Sequence, residues 1–257
     1  MAASSAPLPP LTPGRIAHLR AVLLRRVMAW TGLMLSGFLL FHFAVAAFGL
    51  HRQSFEALSA SLEGQRPWTT LLEVVFVFVP LLVHALVGFH IMKKEGLAYR
   101  LDKRHTGGNL RYALQRASGA ILAAFALFHV GTMHRWGFHL LYRVTGWSAL
   151  SHYASGGLFD PQRAYASVAA AFAGGPEGLG GSLVCGFYLL GIVAAVYHAT
   201  NGTATAASLL KWTVVPGPGG EAKPSPWLPS AILTAGLLLA FLGLAGWAAF
   251  ALGFEIF

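Results

Sequence analysis

The sequence predicts an all-α integral membrane protein of five transmembrane helices with a cytoplasmic N-terminus. Three observations predict it. Of its 257 residues, 56% are hydrophobic and only 11% charged, too little polar surface for a soluble domain of this length. Five apolar runs each reach the roughly 20 residues that cross a bilayer. The basic residues gather in the connections on one side, so the net charge of +9 reads as topology signal and lipid-headgroup contact, not as a nucleic-acid footprint.

The spans are placed at 25–50, 70–93, 113–135, 181–211 and 228–254. Residues 1–24 form an N-terminal cytoplasmic tail, whose first part, MAASSAPLPPLTPGR, is rich in Pro and Ala and reads as a loose segment rather than a cleavable leader. Residues 25–257 form a single transmembrane domain. Pro80 in the second span is tolerated where neighbouring groups satisfy the carbonyl it frees. The fourth span exceeds the bilayer and projects from it. The fifth has no titratable residue before Glu255 and reads as scaffold.

Orientation follows from the cations. Arg15, Arg20, Arg25, Arg26, Lys93, Lys94, Arg100, Lys103, Arg104, Arg111, Arg116, Lys211 and Lys223 lie on one side; Arg52, Arg66, Arg135, Arg143 and Arg163 lie on the other. Thirteen against five places the N-terminus inside and the C-terminus outside. The long loop at 136–180 is then external. Asp160 caps a helix with Pro161 at its first position, and the following QRAYASVAAAF reads as a short helix on the membrane surface. Plain packing is favoured over a lid for this loop. The segment VPGPGGEAKPSP at 215–226 is a turn-rich connector.

Cys185 is the single cysteine. It excludes an internal disulfide, a cysteine-ligated iron–sulfur cluster within the chain and a CxxCH haem attachment.

Of eleven histidines, four lie well inside spans: His42, His84, His129 and His198. The others, His134 among them, read as interfacial or loop residues. At 1.5 Å per residue, His129 is roughly 9 Å and His42 roughly 14 Å from the outer helix ends, whereas His84 and His198 are roughly 24–25 Å in. The four form two levels, each drawn from two helices. One buried histidine is ordinarily a structural hydrogen-bonder. Two pairs on four helices instead suit two haems, each held axially by two neutral imidazoles, which makes a four-helix haem-binding bundle plus a fifth helix. Axially saturated haems carry electrons and leave no open site for oxygen. Gly88, Ala126 and Gly202, each a turn from a histidine, and Gly191, two turns from His198, would let porphyrin approach backbone, although small residues also serve helix packing. Arg26, Arg116 and Lys211 are candidate partners for haem propionates, though each also satisfies the topology rule.

At these residues the chain resembles the dihaem cytochrome b membrane anchor of succinate:quinone oxidoreductase (the succinate dehydrogenase and fumarate reductase family), in its five-helix single-anchor form. The matching stretches are LRRVMAWTGLMLSGFLLFH, LEVVFVFVPLLVHALVGFHI, LQRASGAILAAFALFHV and GFYLLGIVAAVYHATNG. The resemblance runs from about Arg25 to Trp212; the fifth span matches only in character. It implies two haem b groups, the proximal on His84 and His198 and the distal on His42 and His129. It implies a bacterial cytoplasmic membrane, a flavoprotein subunit that oxidises succinate, an iron–sulfur subunit that relays electrons, and menaquinone or ubiquinone as acceptor. Related fumarate reductases that couple transmembrane proton movement carry a glutamate two residues before the fourth ligand. Here that residue is Val196, which favours succinate oxidation.

Glu73 is the one acidic residue well within a span, on the outer half near the distal pair. Quinone reduction consumes protons, so a carboxylate there suits proton delivery to a quinone site; a water-exposed acid near a helix start is the plainer alternative. Competing readings are an anchor for another dehydrogenase (a hydrogenase or formate dehydrogenase), a haem-free transporter or channel that relays protons through buried histidines, and a purely structural anchor.

Overall fold

The computed structural model describes residues 12–95, 107–173, 181–216 and 221–256. It is 84% helical, and five of its helical stretches are long and apolar enough to span a membrane: Pro13–Leu50, Trp68–Lys94, Leu110–Met133, Gly181–Leu209 and Leu228–Ala251. That is the architecture of a multi-pass membrane protein.

Helix α1 (Pro13–Ala47) begins well before the expected span. Thr12 Oγ1 accepts from Arg15 N at 3.3 Å and Pro13 takes the first turn, a hydroxyl cap and a preset φ that together start a helix. Residues 13–24 are therefore helix, not tail; residues 1–11 lie outside the described residues. A 3₁₀ turn (Phe48–Leu50) leads to α2 (Arg52–Gly64), where His51 Nδ1 accepts from Ser54 N at 3.2 Å. The second span is α3 (Trp68–Glu73), a π turn (Val74–Phe78) and α4 (Val79–Glu95). Pro80 has no N–H and its ring would press on the carbonyl one turn back. The ladder widens just before it, with Val79 N donating to the Val74 carbonyl, so the strain is absorbed by a one-residue bulge.

Helix α5 (Gly107–Met133) is followed by α6 (Gly137–Thr145), 3₁₀ turns at Ser148–Tyr153 and Pro161–Arg163, and α7 (Ala164–Ala173). Helix α8 (Gly181–Leu209) leads into an antiparallel pair, β1 (Val214–Pro216) and β2 (Ala222–Pro224). The connector thus contains a small hairpin, its residues 217–220 lying outside the described residues. Helix α9 (Leu228–Ala251) ends the bundle.

Helix α1 packs along α4, α8 and α9, and α8 along α5 and α9. Among the described residues α1 and α5, α4 and α8, and α4 and α5 do not pack closely along their lengths; in the order α4, α1, α8, α5 the first two of these pairs are the diagonals of the bundle. The fifth helix seats on α1 and α8 through glycines. A β-carbon at Gly236 would stand 2.5 Å from Thr200 Oγ1, one at Gly243 2.7 Å from Phe43, and one at Gly246 2.9 Å from Ala46. Lipid tails are as apolar as leucine, so close backbone approach of this kind is what joins helices in a bilayer. Leu82, Leu86, Leu127, Leu237 and Phe241 point outward, into what the spans' length makes hydrocarbon.

One end of the bundle carries the hairpin, Lys93, Lys94 and Arg111; the other is covered by α2, α6 and α7. At this capped end Glu56 of α2 accepts from Ala164 N and Tyr165 N, both at 3.0 Å. Asp160 Oδ1 accepts from Gln162 N at 3.0 Å, the expected cap. That N–H, with the Arg163 guanidinium next, holds the Asp160 carboxyl below its ordinary range. Leu158 N donates to the Thr132 carbonyl at 2.8 Å. The long loop is a fastened cap, consistent with packing rather than a lid. One face of helix α7, made by Ala164, Tyr165, Val168 and Phe172, is buried against the bundle, while Ala166 and Ala170 are exposed. Helix α6 exposes Leu140, Leu141 and Val144, on a segment with a polar opposite face.

Candidate functional site

The four histidines meet as two pairs, each across a diagonal. His42 of α1 and His129 of α5 have ring centroids 5.7 Å apart with planes at 72°. His84 of α4 and His198 of α8 are 6.1 Å apart at 83°. Both pairings agree with the depth reading of the sequence.

Three of the four rings are oriented through Nδ1. Thr31 Oγ1 lies 3.0 Å from His84 Nδ1 and donates its own proton to the Val27 carbonyl at 2.7 Å, so it accepts from the imidazole N–H. His198 Nδ1 donates to the Gln115 carbonyl at 3.1 Å. His129 Nδ1 lies 3.1 Å from the Tyr188 hydroxyl. With Nδ1 protonated, Nε2 holds the lone pair that would bind a metal. Among the described residues none of these Nε2 atoms has a hydrogen-bond partner, and neither nitrogen of His42 has one. His42 is held by stacking on Phe38, at 5.5 Å, and His129 by stacking on Phe125, at 5.7 Å.

Space for the inner-pair rings comes from glycines on the facing helices. A β-carbon at Gly119 would lie 2.8 Å from His198 Cε1, and one at Gly32 3.1 Å from His84 Cε1. Sequence reasoning missed both, because it searched for small residues a turn or two away on each histidine's own helix. Those it named are occupied by side chains: Gly191 receives the Phe125 ring, Gly202 faces Gln115 Nε2 and Gly88 faces Met28. The wall they were expected to open for a porphyrin is closed at Gly191.

Two imidazoles on a shared iron, with Fe–N bonds of roughly 2 Å and each ring centre roughly 1 Å beyond, set centroids about 6 Å apart. Both pairs meet this separation. Among the described residues no group of three or more His, Cys, Asp or Glu side chains is placed to hold a metal ion, so a protein-only metal cage, which needs three or four ligands, is not built. A two-histidine site suits a metal that arrives with its own equatorial ligands, as haem iron does.

The remaining candidates sit at the two ends. Arg26 and Lys211 are exposed at the hairpin end, and the Arg116 guanidinium lies over the Tyr112 ring and against its hydroxyl. Among the described residues no hydrogen bond or ion pair joins Arg26 or Lys211 to a histidine pair. At the capped end Glu73 Oε2 is 3.5 Å from His134 Nε2, and Phe78 and Trp136 pack edge-on against the His134 ring at 5.5 and 5.3 Å. His134 is thus no ordinary loop histidine. Its partner lies 61 positions earlier on another helix, and no local sequence signal joins them.

The chain matches no protein-family model, no curated protein and no solved structure.

Proposed function

We propose that this chain is the membrane-anchoring cytochrome b subunit of a succinate:quinone oxidoreductase. It passes electrons from an iron–sulfur subunit through two bis-histidine haem b groups to a membrane quinone. The observation that carries the reading is the pair of histidine pairs, each bridging a diagonal at the separation two axial ligands require. His84 and His198 hold the haem nearer the hairpin end; His42 and His129 hold the haem nearer the capped end. When bound, these groups supply one-electron transfer. The chain's own residues hold His84, His129 and His198 through Nδ1, and stacking on Phe38 holds His42.

The basic hairpin end is the cytoplasmic face, where the iron–sulfur and flavoprotein subunits dock, in a bacterial cytoplasmic membrane. Dicarboxylate chemistry belongs to the flavoprotein. Arg26, Arg116 and Lys211 supply propionate or headgroup contacts at that face. Glu73, with His134 beside it, serves quinone protonation at the other.

The deciding experiment is a reduced-minus-oxidised spectrum with haem quantification on the complex purified from membranes. Two b-type haems per chain support the reading. One haem makes one histidine pair structural. A folded preparation made with haem available that carries none overturns it in favour of a transporter, and a hydrogenase or formate dehydrogenase copurifying would reassign the partner.

A further inference from the structure

A continuous polar seam runs between α5 and α8 from the hairpin-end surface to His198. Arg111 Nε and Nη2 donate to Asn201 Oδ1 at 3.0 and 2.6 Å. Asn201 Nδ2 donates to Gln115 Oε1 at 2.7 Å. Gln115 Nε2 donates to the His198 carbonyl at 3.2 Å, and the Gln115 carbonyl accepts from His198 Nδ1 at 3.1 Å. Ser118 Oγ donates to that same carbonyl at 3.1 Å. Every donor in this series meets an acceptor in one arrangement of the two amides. Arg111, Gln115, Ser118 and Gly119 lie at successive turns of one α5 face, and His198 and Asn201 share one face of α8.

We infer that Arg111, Asn201 and the Gln115 side chain are positioning residues that fix the rotation of His198, whose Nδ1 proton is held by the main-chain carbonyl of Gln115, an inference that rests on the haem reading for its spectroscopic consequence. No other histidine of the four is tied in this way. His84 has the Thr31 hydroxyl and the Met28 carbonyl, His129 the Tyr188 hydroxyl, and His42 stacking on Phe38, and none of them is reached by a side-chain series from the surface. A fully satisfied polar network in low dielectric is rigid, and outer hydrogen bonds set both the orientation and the donor strength of a ligating imidazole. The seam therefore holds the His198 plane across that of His84, at 83°, and makes the inner haem's electronic structure depend, through Gln115, on Arg111 and Asn201, which hydrogen-bond to Gln115 and to each other rather than to either ligand.

Gln115→Met keeps the side chain's length and volume while removing the amide, and Arg111→Gln loosens the exposed end should the first variant fail to assemble. Two readouts separate this inference from the reading it rests on. In the loaded complex, the low-spin ferric signal of the inner haem shifts to lower maximal g-value as the two imidazole planes leave the perpendicular, with the outer signal unchanged and two haems retained. In the chain freed of haem, ¹⁵N-histidine NMR shows His198, assigned by its loss in His198→Ala, as a single sharp signal in the parent and as a shifted or broadened one in the variants, the Nδ1-protonated form persisting because the main-chain carbonyl of residue 115 remains. An unchanged His198 resonance overturns the inference whether or not haem binds. Unchanged or jointly shifted haem signals overturn it while leaving the haem reading intact.

Discussion

Gly119 and His198 are fitted to each other: a β-carbon on Gly119 would stand 2.8 Å from His198 Cε1. A distance under 3 Å to Cε1 of a ring whose neighbouring Nδ1 is held by the Gln115 carbonyl means that turning the ring away from the new methyl group also strains that hydrogen bond. Gly119→Ala is therefore expected to displace His198 and to lower occupancy of the haem on the His84–His198 pair. Gly32→Ala, whose β-carbon would meet His84 at 3.1 Å, is expected to have the smaller effect. Haem per chain in the two variants, measured side by side, checks the order; full occupancy in Gly119→Ala would remove the steric account of that glycine.

The two pairs are independent in their ligands, so single substitutions separate them. His84→Ala or His198→Ala is expected to reduce haem from two per chain to one and to weaken assembly with the soluble subunits, because this pair lies toward the proposed docking end. His42→Ala or His129→Ala is expected to remove the other haem and spare more of the assembly. Pyridine haemochrome quantification with subunit stoichiometry reads both. Two haems retained after any one of these changes would sink that ligand assignment.

Much of this was legible because a membrane helix is a ruler. Depth is linear at about 1.5 Å per residue, so counting from the span ends pairs His42 with His129 and His84 with His198, the same partners that meet in the bundle. Facing relationships were not legible. The work of Gly32 and Gly119 depends on a ring from another helix, and the Arg111–Asn201 contact joins residues 90 positions apart. The π turn before Pro80 was hidden because proline announces a lost hydrogen bond and not how the backbone re-forms around it. How α7 divides its faces was not legible either: AYASVAAAF has little polarity to mark one side, yet it buries Tyr165, Val168 and Phe172 and exposes Ala166 and Ala170, whereas GFHLLYRVT carries the polar face of an interfacial helix. The N-terminal helix was signalled by Thr12-Pro13 and was overlooked because the residues before it are rich in Pro and Ala.

The cap over the His42–His129 end hangs on Glu56, whose carboxylate receives two backbone N–H groups at the start of α7. Glu56→Ala leaves both donors without that partner, at a cost of about 1–3 kcal/mol. The expected outcome is faster proteolysis within 146–160 and a lower melting temperature, with the His84–His198 haem unaffected. Glu56→Gln keeps one oxygen acceptor and is expected to fall between. A cap equally resistant in Glu56→Ala would mean that the buried faces of Tyr165 and Phe172 hold α7 unaided.

Glu73 and His134 form the one carboxylate–imidazole contact at the capped end among the described residues, 3.5 Å apart, with Phe78 and Trp136 enclosing the imidazole. A pair of this kind can pass a proton from the membrane surface to a bound quinone, the carboxylate taking it up and the imidazole orienting it. Removing a positioned acid–base group typically costs about 100-fold or more in the step it serves. Glu73→Gln keeps the side chain's shape and is expected to lower quinone reductase activity by about that factor where proton delivery limits the rate, and to alter the pH profile. Haem content and haem reduction through the soluble subunits should stay at parental levels, since neither depends on this contact. His134→Gln, which retains a polar group beside Glu73, is expected to show a smaller loss. If Glu73→Gln leaves both activity and pH profile as they were, the quinone site lies elsewhere and the Glu73–His134 contact only fastens α3 to the end of α5.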